Sequence, residues 1–395
     1  MTTAQQFDLV IVGGGLAGST AALAIHKHLP TCRIAIVEAN PPQTQSHPSF
    51  DDRSIALAAH SVSYLQALGL FNPNSDYAAP IHDVAVSDRG HFGKTWLSAD
   101  EYQVEALGVV VEVAPFGAYL HQQLSTAQMT LFCPDNVTEV VQSAAQVSLT
   151  LASGTKLEAK LLVIADGAQS PTRDKVGISF ERKAYQQGAL IANVAVQGGH
   201  QFNAFERFTE HGPMALLPMS KGRYSLVWCM PEAQLEHYRT LSEVEFLAAL
   251  QQAFGYRAGV FTQVGQRASY PLVLGRVSSL VAHRVVVVGN AAHAIHPIAG
   301  QGFNLGLRDI EALAQLLQQQ PPHEWGSYAF TKAYREAREQ DISTVMTLTD
   351  ALVRVFSNRS RLLALGRSLG LTAMALLPAL KAPLAKQLMG QVSSK

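Results

Sequence analysis

Residues 13–18 read Gly-Gly-Gly-Leu-Ala-Gly, a G-x-G-x-x-G turn set between an apolar run, Phe7–Val12, and a helical stretch, Ser19–Leu29. A second apolar run, Arg33–Glu38, follows. An uninterrupted apolar run suits a strand buried on both faces of a parallel sheet, so the segment predicts a βαβ unit. Gly13 permits the tight turn, Gly15 lets a pyrophosphate approach the backbone, and Gly18 lets helix and strand pack closely. The helix start then faces the phosphates. Glu38 stands 20 residues after Gly18, at the end of the second strand, placed to accept hydrogen bonds from a ribose. The pattern predicts a dinucleotide but does not separate NAD from FAD.

Two later apolar runs also end in glycine. Leu161–Ala165 runs into Asp166-Gly167, with Arg173 just beyond, and Arg284–Gly289 runs into Asn290-Ala291-Ala292-His293. The loop from His296 carries Pro297, Gly300, Gly302 and Asn304 and opens a helix from about Phe303 to Gln319. In open α/β sheets ligands bind at such carboxyl ends of strands. A helix start is also an anion site, suited to a reduced flavin that is negative near N1. Three strand-end sites spread over roughly 290 residues suit an extended cofactor crossing the whole domain, which favours FAD. His293 and His296, spaced i, i+3, raise a metal pair. Only Asp309 stands near as a third ligand, so the non-metal reading carries more weight.

Between these motifs the pattern becomes short and strand-like. Val84–Ser87 and His91–Leu97 flank the turn Asp88-Arg89-Gly90; Leu190–Val196, Ala204–Phe208, Met214–Leu217 and Tyr224–Cys229 follow. The expected architecture is α/β: a Rossmann-like dinucleotide domain with an inserted, mainly antiparallel sheet domain and a helical C-terminus. The first is discontinuous, over residues 1–75, 100–182 and 266–330; the insertion spans 76–99 and 183–265; the helical segment is 331–395. Phe208, Met214, Leu216, Tyr224 and Trp228 alternate on the inserted strands, and with Pro297 they are candidates for a substrate wall. For any one of the five strand residues, plain sheet core is the commoner role.

Formal net charge is zero, which offers no field for nucleic acid. Residues 351–395 nevertheless hold seven basic residues (Arg354, Arg359, Arg361, Arg367, Lys381, Lys386, Lys395) and no acid. That segment either docks on an anionic membrane or acidic partner, or caps the dinucleotide domain. Its longest uncharged run, Ser368 to Leu380, is 13 residues, too short to span a bilayer. Cys32, Cys133 and Cys229 form no CxxC spacing and suggest buried thiols in a reducing, cytoplasmic setting. No signal peptide is expected before Phe7.

All three motifs, in order and with the insertion between them, resemble the class A flavoprotein monooxygenases, the p-hydroxybenzoate hydroxylase family. The stretches Ala204-Phe205-Glu206-Arg207-Phe208-Thr209-Glu210-His211-Gly212-Pro213 and His296 to Asp309 resemble its ubiquinone-biosynthesis branch. Ser87-Asp88-Arg89-Gly90-His91 with Asn290 is most similar to 2-polyprenyl-6-methoxyphenol hydroxylases. The resemblance implies that Gly13, Gly15, Gly18 and Glu38 hold the ADP half of FAD. It gives Asp166 and Gly167 contacts to FAD and the nicotinamide nucleotide, and Gly289 and Asn290 the ribityl and pyrophosphate. Arg53 matches the family's flavin-contacting arginine. The third motif departs from the usual Gly-Asp in reading Gly289-Asn290, which leaves flavin affinity and redox potential open.

The implied chemistry is reduction of FAD by NAD(P)H and addition of O2 at flavin C4a as a hydroperoxide. The hydroperoxide then hydroxylates a polyprenylated phenol. No catalytic side chain is required of the protein. Other ubiquinone-biosynthesis proteins, peripheral membrane contact and a homo-oligomer are the partners implied. An FAD-dependent reductase or epoxidase of an isoprenoid lipid, or a non-catalytic flavin-binding subunit, remains the alternative.

Overall fold

The computed structural model describes residues 4–41, 53–295 and 300–356, with scattered positions between 368 and 390. The βαβ unit forms: a strand over Gln5–Val12, a helix over Leu16–His28 and a strand over Ile34–Val37. The helix starts at Leu16 rather than Ser19, because Gly15 takes the cap position with extended backbone. The first strand pairs in parallel with Ile34–Val37 on one side and with Lys156–Ile164 on the other. Val285–Val287 joins Lys156–Ile164 in parallel, and Thr130–Phe132 closes the far edge. Leu9, Val10, Ile11 and Leu161–Ile164 are fully buried, as continuous apolar runs require. Val12 lies opposite Ile164, and Ile164 opposite Val287. All three glycine-ended motifs therefore leave the sheet side by side at one edge.

Several strands escaped the sequence reading, among them a pair beside Lys156–Ile164. Val137–Gln142 and Val147–Leu151 form a meander with the first half of Lys156–Ile164. Val137–Gln142 is largely exposed, so its apolar alternation is weak.

The inserted sheet has nine strands and reaches past the expected bounds of 183–265, since it starts at Phe180 and takes in Ala268–Val277 and His293–Ala294. Its order is His293–Ala294, Ala268–Val277, Phe180–Val196, Arg223–Pro231, Gly212–Pro218, Asn203–Thr209, Asp83–Asp88 and Lys94–Ser98, with Phe261–Val264 also on Phe180–Val196. Every pairing is antiparallel except Asn203–Thr209 with Asp83–Asp88. The hairpin around Asp88-Arg89-Gly90 forms, with Ser87 opposite Lys94. Helices Glu232–Thr240 and Glu243–Phe254 cover one sheet face, the second started by a Ser242/Glu245 capping box.

A three-stranded sheet joins the two halves: Ser54–Ala58, Gly108–Glu112 and Ala78–Ile81. Strand alternation gives it two apolar faces. Leu57, Val109 and Val111 enter the main core, while Ala56 and Val110 pack on Ala204, Leu217 and Met219 of the insertion.

Helices Gln301–Gln319 and Tyr328–Phe356 follow. Beyond them Ala385 and Met389 pack on Leu97, Ala99 and Leu107. Lys381 Nζ reaches Glu101 at 2.6 Å and the Trp96 carbonyl at 3.0 Å. The described part of the basic segment thus caps both the insertion hairpin and the dinucleotide domain, where the Met389 carbonyl accepts from the His60 amide at 3.0 Å, with one cation paired. Arg359, Arg361 and Arg367 lie outside the described residues. No helix among the described residues is long and apolar enough to cross a membrane. Of the three thiols only Cys229 is buried; Cys32 and Cys133 are half-buried, a correction to the expected burial of all three.

Gly18 fixes how closely the first helix lies on its strand. A Cβ there would stand 1.8 Å from the Gly13 carbonyl oxygen, a rigid backbone atom. Gly18→Ala is expected to cost about 3 kcal/mol, the upper end of ordinary overpacking. Thermal unfolding of the two proteins checks this, and equal midpoints would contradict so tight a contact.

Candidate functional site

The site grows from the sheet edge where the three motifs meet. Gly13 has φ +104°, and a Cβ on it would stand 2.5 Å from the Ala165 carbonyl oxygen and 2.8 Å from the Asp166 Cα. The first two motifs therefore touch through backbone. Glu38 follows its strand directly, and its carboxylate accepts from the Gly14 and Asn40 amides, the latter at 2.8 Å. Those bonds hold the carboxylate over the glycine turn. A Cβ at Gly15 would meet nothing within 4 Å, and the helix it opens has no side-chain cap and no acid in its first turn. An uncapped helix start facing open space is an anion site.

At the second motif, Asp166 Oδ2 accepts from the Thr172 amide at 3.2 Å. Its Oδ1 is enclosed yet has no partner among the described residues. A buried carboxylate oxygen left without a donor is costly and points to a group that the site is built to receive. Gly167 beside it (φ +88°) is open. Arg173 is buried, lies 4.5 Å over the Phe180 ring and donates to the Ala291 carbonyl at 2.9 Å. It ties the second motif to the third.

Gly289 (φ +61°) is enclosed between two helices. Its own Cβ would stand 3.3 Å from Ala17 Cβ, and a Cβ at Gly306 would stand 3.0 Å from the Gly289 Cα. Its amide donates to Asp309 Oδ2 at 3.0 Å, which also bonds His293 Nε2 at 2.7 Å. Arg338 Nε donates to Asp309 Oδ1 at 2.8 Å, and Asp341 then pairs with both Arg338 and Arg308. Burial alone would raise the Asp309 carboxyl, but His293 and Arg338 outweigh it and hold it below the usual range. The third motif therefore stands on a buried charge network, and His293 belongs to that network. His296 lies outside the described residues. Sequence reasoning saw Asp309 only as a possible metal ligand and missed Arg338, whose helix carries no local motif.

Asn290 is exposed at the rim. Asn304 is placed differently: its Oδ1 accepts from the Ala58 amide, and its Nδ2 donates to the Ala56 and Gly300 carbonyls, all at 2.8 Å. Its side chain stitches the helix start to the three-stranded sheet. Gly300 (φ +63°) presses on Ala56, while Gly302 is nearly open. Arg53 is exposed, and its charge acts on Tyr270, whose hydroxyl burial pushes up to about 12. Pro297 lies outside the described residues.

Four substrate-wall candidates are sealed on the other side. Met214, Leu216, Tyr224 and Trp228 pack with Phe246 and Leu250 beneath the two covering helices. Alternation identifies a shared face but not which face the helices cover. Phe208 lies opposite Pro213, one register step from the Arg207–Met214 pair, and so points to the opposite face. That face carries Ala189, Val227, Cys229 and Leu272, and it continues through Leu217 and Ala204 to Ala56.

An open helix start for a diphosphate, a carboxylate beside it, an orphaned carboxylate oxygen and glycine cradles on three adjacent strand ends together fit FAD. With a sheet domain inserted beside that edge, fold and site define an FAD-dependent monooxygenase. The family model described as FAD binding domain matches residues 6–349, and the chain belongs to that family. It is 34% identical to ubiquinone hydroxylase UbiL of Rhodospirillum rubrum, over 97% of this chain and 89% of that one. It is 30% identical to 3-demethoxyubiquinol 3-hydroxylase of Escherichia coli, over 94% and 95%. Among solved structures, p-nitrophenol 4-monooxygenase PnpA from Pseudomonas putida superposes with TM-score 0.79 at 18% identity, covering 98% of this chain and all of that one.

Gly15→Val is expected to abolish flavin binding while leaving the folded protein intact, because its first added atom meets no protein. Flavin absorbance and apo-protein unfolding, measured together, check this. Asn290→Asp is expected to keep the flavin and lower its reduction potential, since a carboxylate at that rim disfavours the anionic reduced form. Loss of FAD from that variant would contradict the placement of Asn290 beside the cofactor.

Proposed function

We propose that the chain hydroxylates the aromatic ring of a polyprenylated phenol in ubiquinone biosynthesis, with a 2-polyprenyl-6-methoxyphenol-like substrate. The observation that carries this reading is the apolar face of the inserted sheet opposite its two helices, which runs through Ala204, Leu217 and Ala56 to the third cofactor motif. The relatives' names, ubiquinone hydroxylase and 3-demethoxyubiquinol 3-hydroxylase, support the substrate class. Bound FAD supplies electron transfer from NAD(P)H and activation of O2. The protein's part is to hold the ring beside the cofactor and keep water out. Gly13, Gly15, Gly18 and Glu38 hold the ADP half. Asp166, Gly167, Gly289, Asn290, Gly300 and Gly302 line its course, Arg53 stands at the flavin end, and Asn304 positions the loop. The substrate wall is the Phe208 face.

A polyprenyl tail belongs in a bilayer, so the enzyme works as a peripheral protein on the inner face of a membrane, beside other enzymes of the pathway. Lys381 is already paired with Glu101, so the test falls on the arginines between 354 and 367. Changing Arg354, Arg359, Arg361 and Arg367 to Gln is expected to weaken sedimentation with anionic vesicles at low salt. Each engaged cation is worth about 1 kcal/mol. Equal sedimentation would leave only the capping role.

The reaction itself is tested by giving the flavin-loaded protein NAD(P)H, O2 and a short-chain prenylphenol. An oxygenated ring product is expected. A saturated product would favour a reductase, and no flavin reduction with substrate present would favour a non-catalytic subunit.

A further inference from the structure

The face of the inserted sheet turned away from its two helices carries an ionisable group that the cofactor reading does not use. Glu206 sits mid-strand in Asn203–Thr209, opposite Ala215 on one side and Val86 on the other. Its strand neighbours on that face are Ala204, which packs toward Ala56, and Phe208. The carboxylate therefore lies two residues along the strand from Ala204, whose neighbour Ala56 meets Gly300 of the third cofactor motif. As a residue Glu206 is part exposed, yet its Oε1 is sealed from water and has no hydrogen-bond partner among the described residues. The groups facing it are the Cys229 thiol on the Arg223–Pro231 strand and the buried Asp88, two residues beyond Val86 on the same face, then Tyr270 on Ala268–Val277, with Arg53 beyond. Burial drives both Cys229 and Tyr270 upward, so both are neutral near pH 8. Val86 and Ala215 bring no charge.

We propose that Glu206 receives the phenolic hydroxyl of the substrate at Oε1 and acts as its proton acceptor. This rests on the reading of the chain as a phenol hydroxylase. The phenolic O–H bond breaks, its proton passes to Oε1, and the electron pair stays on the phenolate oxygen and spreads into the ring. No electrons leave the substrate in this step. A ring made electron-rich in this way attacks an electrophilic oxygen more readily, and a placed base typically contributes about 10²–10⁴ in rate.

The physical state of the group suits that work. Burial pushes the Glu206 carboxyl up to about 8, between an ordinary carboxylate and a phenol. The sign for stability follows. From its ordinary value, 4.5, up to about 8, the folded chain keeps a proton that the unfolded chain has lost. Stability therefore falls as pH rises through that window. A carboxylate kept at a cost to the fold is expected where function requires it.

The test is binding of 2-prenylphenol to the FAD-loaded protein from pH 6 to pH 10, followed by tryptophan fluorescence, with wild type, Glu206→Gln and Glu206→Asp. In wild type, affinity is expected to tighten about tenfold as pH rises through about 8, the worth of one charge-assisted hydrogen bond. It is expected to weaken again toward about 10, where the free phenol ionises. Glu206→Gln is expected to lose the rise near 8, keep its FAD and unfold at a higher temperature at pH 8. Glu206→Asp is expected to keep the rise with weaker binding. A wild-type curve flat across pH 8, or one shared by Glu206→Gln, overturns the proposal without recourse to activity. If the pH dependence is present and lost in Glu206→Gln but no hydroxylated product forms, the assigned reaction fails while the phenol site stands.

Discussion

Backbone contact at Gly13 governs this molecule. Where the first strand ends, Gly13 lies against Ala165 and Asp166, and the Gly18 position lies against the Gly13 carbonyl. Side chains at either place would push the first helix and the Lys156–Ile164 strand apart. With hydrogen there instead, two strand ends and a helix start share one small volume. The amides of the turn and the Asp166 carboxylate can then address the same ligand. The nucleotide site is thus a consequence of how closely three pieces of backbone approach, more than of any one polar side chain.

The third strand end needs a different support. Gly289 leaves the sheet beside helix Gln301–Gln319, and its amide is fixed by the fully buried Asp309. A lone charge at that depth would be untenable, and removing a partner from such a pair usually costs about 3–5 kcal/mol. His293 and Arg338 compensate it, with Asp341 and Arg308 extending the chain of charges outward. The network locks the Gly289 turn to two helices at once. Asn304 does the same for Gly300, using side-chain bonds to the backbone of Ser54–Ala58. Cofactor loops held in this way can be glycine-rich without being loose.

How much of this could be read from sequence follows from the range of each signal. The βαβ unit, the Asp166-Gly167 turn and the Gly289 turn were legible because each is local: an apolar run, a glycine and a helix start within a few residues. Six of the nine inserted strands were legible as strands for the same reason, while Ala268–Val277 and Phe261–Val264 were not. Which of their faces met the cofactor was not. Met214, Leu216, Tyr224 and Trp228 were candidate wall residues, but they alternate in register with Phe208 and fall on the helix-covered side. Alternation gives two faces and labels neither. The bulkier one proved to be core. Arg338 and the weakly patterned Val137–Gln142 strand were silent, since their partners lie far off in sequence.

The two faces of the inserted sheet also differ in what they ask of the fold. The covered face buries aromatic and aliphatic side chains against two helices, and Trp228 with Tyr238 and Phe246 forms a ring cluster at 4.7 and 6.1 Å. That face supplies the stability of the insertion. The other face is built of smaller groups, Ala189, Val227, Cys229 and Ala204. Among them it places Glu206, a carboxylate with an unmet hydrogen-bonding oxygen. A sheet serving only as scaffold would place an apolar residue there, since an unmet buried polar group costs about 1–3 kcal/mol. One side of the sheet therefore carries the packing, and the surplus stability it provides allows the other side to hold a group whose satisfaction must come from outside the protein.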